Sequence, residues 1–290
     1  MTLSNDILTI EVAERGAEMV SLRKDEQEFL WTGSAQYWNR HAPILFPAVG
    51  KPFNNEIHVG GKAFELRQHG FARDKDFRNL TSKRYNSIVM RMKSKPWSYP
   101  YFMSLEVCYT LKRNSVEAVW TVYNHSAADV YFQIGAHPGF LLPDYNPSDD
   151  VHGYIRYYDR DGNPVSPIVV NGLDGGNRIP LPEPRYIDSL MPITNDTFIH
   201  DALMFEGGQV AKAELWDKHN AAPVLSVSCQ QADAYGIWAP HMEGCPFVCL
   251  EPWCGICDYK GFTGDISERQ YIHRLPPRQK YIFTYTIVIF

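Results

Sequence analysis

Alternation of apolar and polar side chains, sustained over long stretches, leaves this chain little choice but β-sheet. From Ser104 to Lys112, Leu105, Val107, Tyr109 and Leu111 alternate with Ser104, Glu106, Cys108, Thr110 and Lys112. Successive side chains of a strand point to opposite faces, so the run predicts a strand with one face buried. After a turn at Arg113-Asn114, Val116, Ala118, Trp120 and Val122 repeat the pattern. Tyr281–Phe290 is apolar on both faces, which predicts a central strand covered on both sides. Further strands are expected at Ile7–Val12, Met19–Arg23, Gln27–Trp31, Ile57–Val59 with Ala63–Leu66, Ser87–Met92, Tyr131–Gly135 and Phe247–Glu251. Gly60-Gly61 reads as a two-residue hairpin loop, and Asp161-Gly162, Asn171-Gly172 and Gly175-Gly176 as further turns. No helical period persists over ten residues, and only Ser34–Trp38 suggests a turn or two of helix. The fold class expected is all-β.

The segment Pro143–Pro184 is rich in Asp, Asn, Gly and Pro, yet it contains strand-like runs at Tyr154–Tyr158 and Val165–Val169. It is read as long loops within one sheet system. No fixed-period repeat is visible, so residues 1–290 are expected to form one sandwich of antiparallel strands. Net charge is −5 with a pI near 6.1, and no basic run occurs, which argues against nucleic-acid and membrane-surface partners. No apolar run approaches the roughly 18 residues that span a bilayer. The N-terminal Met-Thr-Leu-Ser-Asn-Asp lacks the layout of a signal peptide, so a cytoplasmic protein with reduced thiols is expected.

Three residues stand where chemistry would be placed on such a scaffold. His69, in Gln-His-Gly-Phe-Ala-Arg, follows a strand and precedes a glycine that lets backbone approach a ligand closely. His137, in Ile-Gly-Ala-His-Pro-Gly-Phe, ends an aromatic strand where small residues and Pro138 stop pairing. Each also reads as an ordinary loop or strand-end histidine. Glu251, in Phe-Val-Cys-Leu-Glu-Pro-Trp, closes an apolar strand, with Pro252 expected to end the ladder. A carboxylate is costly to bury there unless paired or used, and desolvation would raise its pKa toward that of a general base working near neutral pH. The bland alternative is an exposed Glu that blunts an edge.

Cys245, Cys249, Cys254 and Cys257 give a C-x3-C-x4-C-x2-C spacing. Cys249 falls within an apolar strand and no intervening loop separates two pairs, so no metal is expected. Walker, dinucleotide, nucleophile-elbow and HExxH motifs are all missing from the sequence, and no cofactor is expected.

Four segments together resemble the aldose 1-epimerase (galactose mutarotase) family, in its LacX-like branch. They are Ala42–Lys51 (APILFPAVGK), His69–Arg73 (HGFAR), Gly135–Phe140 (GAHPGF) and Leu250–Trp253 (LEPW), in the family's order over nearly the whole chain. The resemblance implies the galactose mutarotase-like supersandwich and interconversion of the α and β anomers of an aldose. It implies Glu251 as general base, His137 as general acid and His69 as a substrate-orienting histidine. A sugar-binding Asp is matched by Asp201, with Asp196 as rival, and a basic residue by Lys51 or Arg73. The string ending in Arg73 also resembles the hexose-6-phosphate epimerase branch. A phosphate would want several arginines, and the sequence shows no second one placed with Arg73, so a free sugar is expected. A non-catalytic carbohydrate-binding module on the same fold is the other alternative.

Overall fold

The computed structural model describes residues 1–82, 86–94 and 99–290. Two antiparallel sheets dominate it. The larger has nine strands in the order Leu190–Ile193, Gly153–Tyr158, Lys212–Trp216, Pro223–Ser228, Lys280–Ile289, Ser115–Asn124, Met103–Lys112, Ser87–Lys93 and Arg78–Asn79. The expected C-terminal strand is the fifth of these nine, but only one of its faces is covered: Phe283, Tyr285, Ile287 and Ile289 are buried, whereas Ile282 and Phe290 on the other face are exposed. The smaller sheet runs Leu203–Glu206, Ala234–Trp238, Phe247–Cys254, Ile134–Ala136 and Ile44–Leu45, with Gly139–Leu141 also paired to Phe247–Cys254. A four-stranded N-terminal sheet, the hairpins Glu56–Val59 with Lys62–Glu65 and Ile168–Asp174 with Asn177–Tyr186, and the long-range pair Val130–Phe132 with His273–Leu275 are the remaining sheets among the described residues. Among the described residues the only helical elements are three-residue 3-10 turns, at Phe53–Asn55, Ala72–Asp74 and Ile266–Glu268.

The two large sheets meet in one apolar core. Trp120, Phe283 and Tyr285 from the nine-stranded sheet share it with Tyr235, Ile237, Val248 and Leu250 from the smaller one. Tyr157 and Phe205 meet edge-on between the sheets with centroids 5.0 Å apart. The buried Tyr235 hydroxyl donates to Val227 O across the same gap at 3.0 Å. Alternation then decides what faces outward: Val248, Leu250 and Cys254 point into this core, so Cys249, Glu251 and Trp253 lie on the other face of their strand. Among the described residues, no helix is long and apolar enough to cross a membrane.

Several sequence expectations shift in instructive ways. Gly60 and Gly61 both take positive φ (55° and 78°) in the turn between Glu56–Val59 and Lys62–Glu65. Ser34–Trp38 forms a single turn, with Trp38 N–H donating to Ser34 O. The strand expected at Gln27–Trp31 is confined to Gln27–Glu28: the Glu28 carboxylate takes the Leu22 and Leu30 N–H groups, and the chain beyond turns to Gly139–Leu141, with Trp31 N–H donating to Gly139 O and Leu141 N–H to Phe29 O. Asn171-Gly172 is not a turn; it lies inside the strand Ile168–Asp174, beside a register shift between Val169 and Asn171. Pro252 does not end its strand, which continues to Cys254.

The run Tyr131–Gly135 splits into Val130–Phe132 and Ile134–Ala136, which belong to different sheets. Gln133, fully buried at the break, explains how the split is tolerated. Its side-chain oxygen accepts from Val49 N–H, and its amide donates to Ile256 O and Gln270 O. Replacing Gln133 by Leu, nearly the same size, strands three backbone groups at about 1–3 kcal/mol each. The variant is expected to show a denaturation midpoint far below that of the parent. A midpoint unchanged in urea titration would refute the role given to this amide.

Candidate active site

A cavity of about 560 Å³ opens on the outer face of the smaller sheet, lined among others by Trp38, His69, Arg73, His137, Asp201, Trp238, Glu251 and Trp253. It is built around an interruption. Ile134–Gly135 pairs with Cys254–Trp253, and Gly139–Leu141 pairs with Cys249–Phe247, so Leu250 to Pro252 lack a strand partner on that side. Leu250 N–H points into this gap and donates to Pro138 O at 3.1 Å. Pro252, two residues on, directs its nitrogen the same way, where no ladder bond is lost. The chain between the two short strands is His137-Pro138, and it places His137 opposite Glu251. His137 Nε2 lies 3.2 Å from Glu251 Oε2.

Both groups are buried, and burial disfavours their charged forms. It drives the His137 pKa down to about 3, with help from the charge on Arg73. It also drives Glu251 well above the ordinary carboxylate value. Residues lining the cavity retain four buried polar atoms without hydrogen-bond partners among the described residues: His137 Nδ1, Glu251 Oε2, Arg73 Nε and Trp253 Nε1.

His69 is held by backbone. Its N–H donates to Gly50 O at 2.8 Å, and its Nδ1 accepts from Gly50 N–H at 3.2 Å. With Nδ1 an acceptor, the ring proton of the neutral imidazole sits on Nε2. Burial and the neighbouring His137 hold its pKa well below the ordinary value. The turn requires glycine next: Gly70 has φ +67°, and a Cβ there would lie 2.3 Å from Phe46 O. The His69 and His137 rings meet edge-on at 5.5 Å.

Trp38 stacks on the His137 ring at 4.8 Å, and Trp238 meets that ring edge-on at 5.6 Å. Trp253 lies flat between two glycines. A Cβ on Gly236 would come within 2.4 Å of its ring, and one on Gly135 within 2.7 Å. Neither Trp38 nor Trp238 stands out in the sequence, since single tryptophans outside a motif give no signal of where they point. Trp38 occupies the end of the one short turn that the pattern did show.

The remaining candidates are distributed unevenly. Asp201 sits exposed at the rim with φ 72°, and one carboxylate oxygen takes the Ala202 N–H. Asp196 does not line the cavity; it lies 3.7 Å from the rim residue His241. The Lys51 ammonium donates to Gly175 O at 2.8 Å, and Lys51 is absent from the lining. Arg73 does line it, with one guanidinium nitrogen on Gln68 O at 2.8 Å. Burial and the charge of Arg40 lower the Arg73 pKa to about 10. Arg40 is thus the second arginine that the sequence did not reveal, though its guanidinium is engaged by Asp74 at 2.8 Å and by Arg73 O at 3.5 Å.

The four clustered cysteines do not converge. All six cysteines are free; Cys249 lies beside His137 and Glu251, Cys254 lies on the opposite face of the same strand, and Cys257 packs on Gly50.

Comparison with known proteins agrees with this geometry. The LacX protein of Lactococcus lactis is 27% identical over 270 residues, covering 88% of this chain and 87% of the relative. The structure of a galactose mutarotase related enzyme from Lactobacillus acidophilus superposes with a TM-score of 0.88 at 27% identity, covering 100% of this chain and 97% of the other. A galactose mutarotase-like protein from Lactobacillus casei gives 0.87 at 26% identity, covering 100% and 99%. The family model for aldose 1-epimerase matches residues 1–262. With that match across most of its length and this all-β architecture, the chain belongs to the aldose 1-epimerase family.

Proposed function

We propose that the protein is an aldose 1-epimerase acting on a free sugar, with Glu251 and His137 as its proton-transfer pair. The observation that supports this most is the 3.2 Å approach of His137 Nε2 to Glu251 Oε2 at the floor of a cavity faced by tryptophan. Aromatic faces suit the C–H faces of a pyranose. The sugar's hydroxyls supply partners to the orphaned atoms of Glu251, His137, Arg73 and Trp253, whose burial is otherwise costly. His69 Nε2 and the Gln68 side-chain amide 3.3 Å from it give a polar edge for a hydroxyl, and Asp201 offers its second carboxylate oxygen from the rim.

Mutarotation needs one proton removed from the C1 hydroxyl and one delivered to the ring oxygen. The Glu251 carboxylate takes the C1 hydroxyl proton as the C1–O5 bond breaks. The electron pair of that bond passes to O5, which takes the proton from His137 Nε2. The product is the open-chain aldehyde with a free C5 hydroxyl. Rotation about C1–C2 presents the other carbonyl face, and the reverse transfers close the ring.

The pair holds a single mobile proton throughout, and its two arrangements are tautomers. Carboxylate with imidazolium is the state that opens the ring; carboxylic acid with imidazole is the state that faces the aldehyde. Burial favours the second. Hydrogen bonds from the bound sugar's hydroxyls favour the first. Burial thus favours the protonation state left after ring opening, while the bound sugar's hydrogen bonds offset the cost of the ionised state that begins it.

Arg40 beside Arg73 favours a second reading, a hexose 6-phosphate as substrate. Both guanidiniums already serve protein oxygens, Arg40 on Asp74 and Arg73 on Gln68, which keeps the free sugar first.

A panel of fresh α-anomers followed by NMR distinguishes the two. Free glucose or galactose is expected to equilibrate faster with protein than without, and the 6-phosphates are expected to gain less. A larger acceleration of the phosphates would move the substrate to the second reading, and none for any sugar would remove the enzyme.

Replacing Glu251 by Gln is expected to remove nearly all acceleration with the fold intact. His137→Asn should lower kcat by about a hundredfold or more, with a smaller change in KM. Polarimetry showing either variant near the parent rate would reassign that role.

The two titrations also act on stability, with opposite signs. The native pKa of Glu251 is raised, so the stability tied to its protonated form is present below about 4.5 and is lost as pH rises through the native value. The native pKa of His137 is depressed, so stability falls as pH drops from 6.5 toward about 3. Glu251→Gln should therefore be more stable relative to the parent at pH 8 than at pH 5, read from urea denaturation at both. A constant difference would mean that Glu251 is not held protonated by burial.

A further inference from the structure

On the reverse face of the catalytic strand, Cys254, Asp233 and His273 bring a sulfur, a carboxylate oxygen and an imidazole nitrogen within 4.8 Å of one another. They come from three separate elements: the end of Phe247–Cys254, the turn before Ala234–Trp238 and the start of His273–Leu275. His273 Nε2 and Asp233 Oδ2 are 3.4 Å apart, and each is a buried atom without a hydrogen-bond partner among the described residues. A direct charge-assisted N–H···O bond would draw such atoms to about 2.7–2.9 Å. An ion bound tetrahedrally at about 2.0–2.1 Å from N and O sets them roughly 3.3–3.4 Å apart, which is the spacing found. Cys254 itself is fully buried, and its thiol meets that of Cys229, which borders the cluster as a further sulfur.

We infer that Cys254, Asp233 and His273 bind one thiophilic divalent cation of the zinc type, outside the sugar site. The donor set fits that class, since thiolate and imidazole select zinc and its neighbours over magnesium or calcium, which prefer oxygen. A nucleophilic role for Cys254 fits less well. Its sulfur donates to Gln231 O at 3.1 Å, and contact with Cys229 and burial push its pKa far up. The bound ion would tie the three elements together directly behind Trp253, whose carbonyl already accepts from Asp233 N–H at 2.8 Å.

The test uses full-length protein freed of metal by a chelator, with thiols kept reduced, titrated with Co²⁺ and then Zn²⁺. One equivalent of Co²⁺ is expected to give a thiolate-to-cobalt charge-transfer band with tetrahedral d–d bands, both abolished by one equivalent of Zn²⁺. Zinc should also raise the melting temperature. His273→Gln and Asp233→Asn change half-buried side chains and should each weaken binding by at least about tenfold and remove the zinc-dependent thermal shift. Cys254→Ser should remove the charge-transfer band, although its burial makes the other two variants the safer comparison. Absence of binding in the parent protein would overturn the inference. So would bands that persist unchanged in His273→Gln, because the cation would then sit elsewhere, for example at His137, Cys249 and Glu251 on the opposite face.

Discussion

The desolvation of Glu251 is the constraint around which the rest of the molecule is arranged. A carboxyl group at 1% exposure inside a sheet is tolerable only if it stays protonated or has a partner to exchange its proton with. Both conditions are met by interrupting the adjacent strand. The break between Ile134–Ala136 and Gly139–Leu141 removes two or three ladder positions and fills them with an imidazole. A continuous strand there would have put backbone, with its hydrogen bonds satisfied, where His137 now stands. The juxtaposition of Glu251 and His137 is thus a feature of sheet topology as much as of residue identity.

That topology explains which parts were legible in the sequence. Period-two alternation locates Met103–Lys112 to within one residue and Ser115–Asn124 to within two, and the apolar content of Tyr281–Phe290 marks a strand in the middle of its sheet although one of its two faces is left open. Alternation reports faces, and faces are what those strands share with their neighbours. The failures occur where side chains replace the ladder. Glu28 captures backbone N–H groups where its strand gives way to pairing with Gly139–Leu141; Gln133 divides one aromatic run between two sheets; Pro252 sits mid-strand because the neighbour on its nitrogen side is missing. None of these depends on local pattern, since each requires knowing what lies across a gap contributed by distant sequence.

The site divides the same way. His69 and His137 sit next to Gly or Pro outside the strands and Glu251 next to Pro252 within one, and the structure gathers all three into one cavity. The signals that single them out are backbone signals: a positive φ at His69 and Gly70, a proline after His137, a proline after Glu251. Lys51 and Arg73 could not be separated by sequence, because both follow glycine-containing turns and differ only in where long side chains end. The structure turns Lys51 onto Gly175 O and leaves Arg73 in the lining. Trp38 and Trp238 were invisible for a related reason. A tryptophan is informative only once its ring plane is known, and here the planes are fixed by contact with His137.

The strand Phe247–Cys254 uses both of its faces, and under the proposed function this has a mechanical consequence for proton transfer. Glu251 and Trp253 look into the cavity, while Leu250 and Cys254 look into the inter-sheet core. Any displacement of the strand toward one layer is a displacement away from the other, so packing behind the strand sets the distance across which the proton moves. Trp253 tightens the coupling: its ring lies against Gly135 on one neighbour and Gly236 on the other, and neither position has room for a Cβ. Three adjacent strands are thereby locked in register at the level of Glu251. General acid–base transfer depends steeply on donor–acceptor distance, and a close-packed interior resists compression and transmits strain. The rigidity that holds Glu251 and His137 at contact distance therefore originates in two glycines and a tryptophan that transfer no proton themselves.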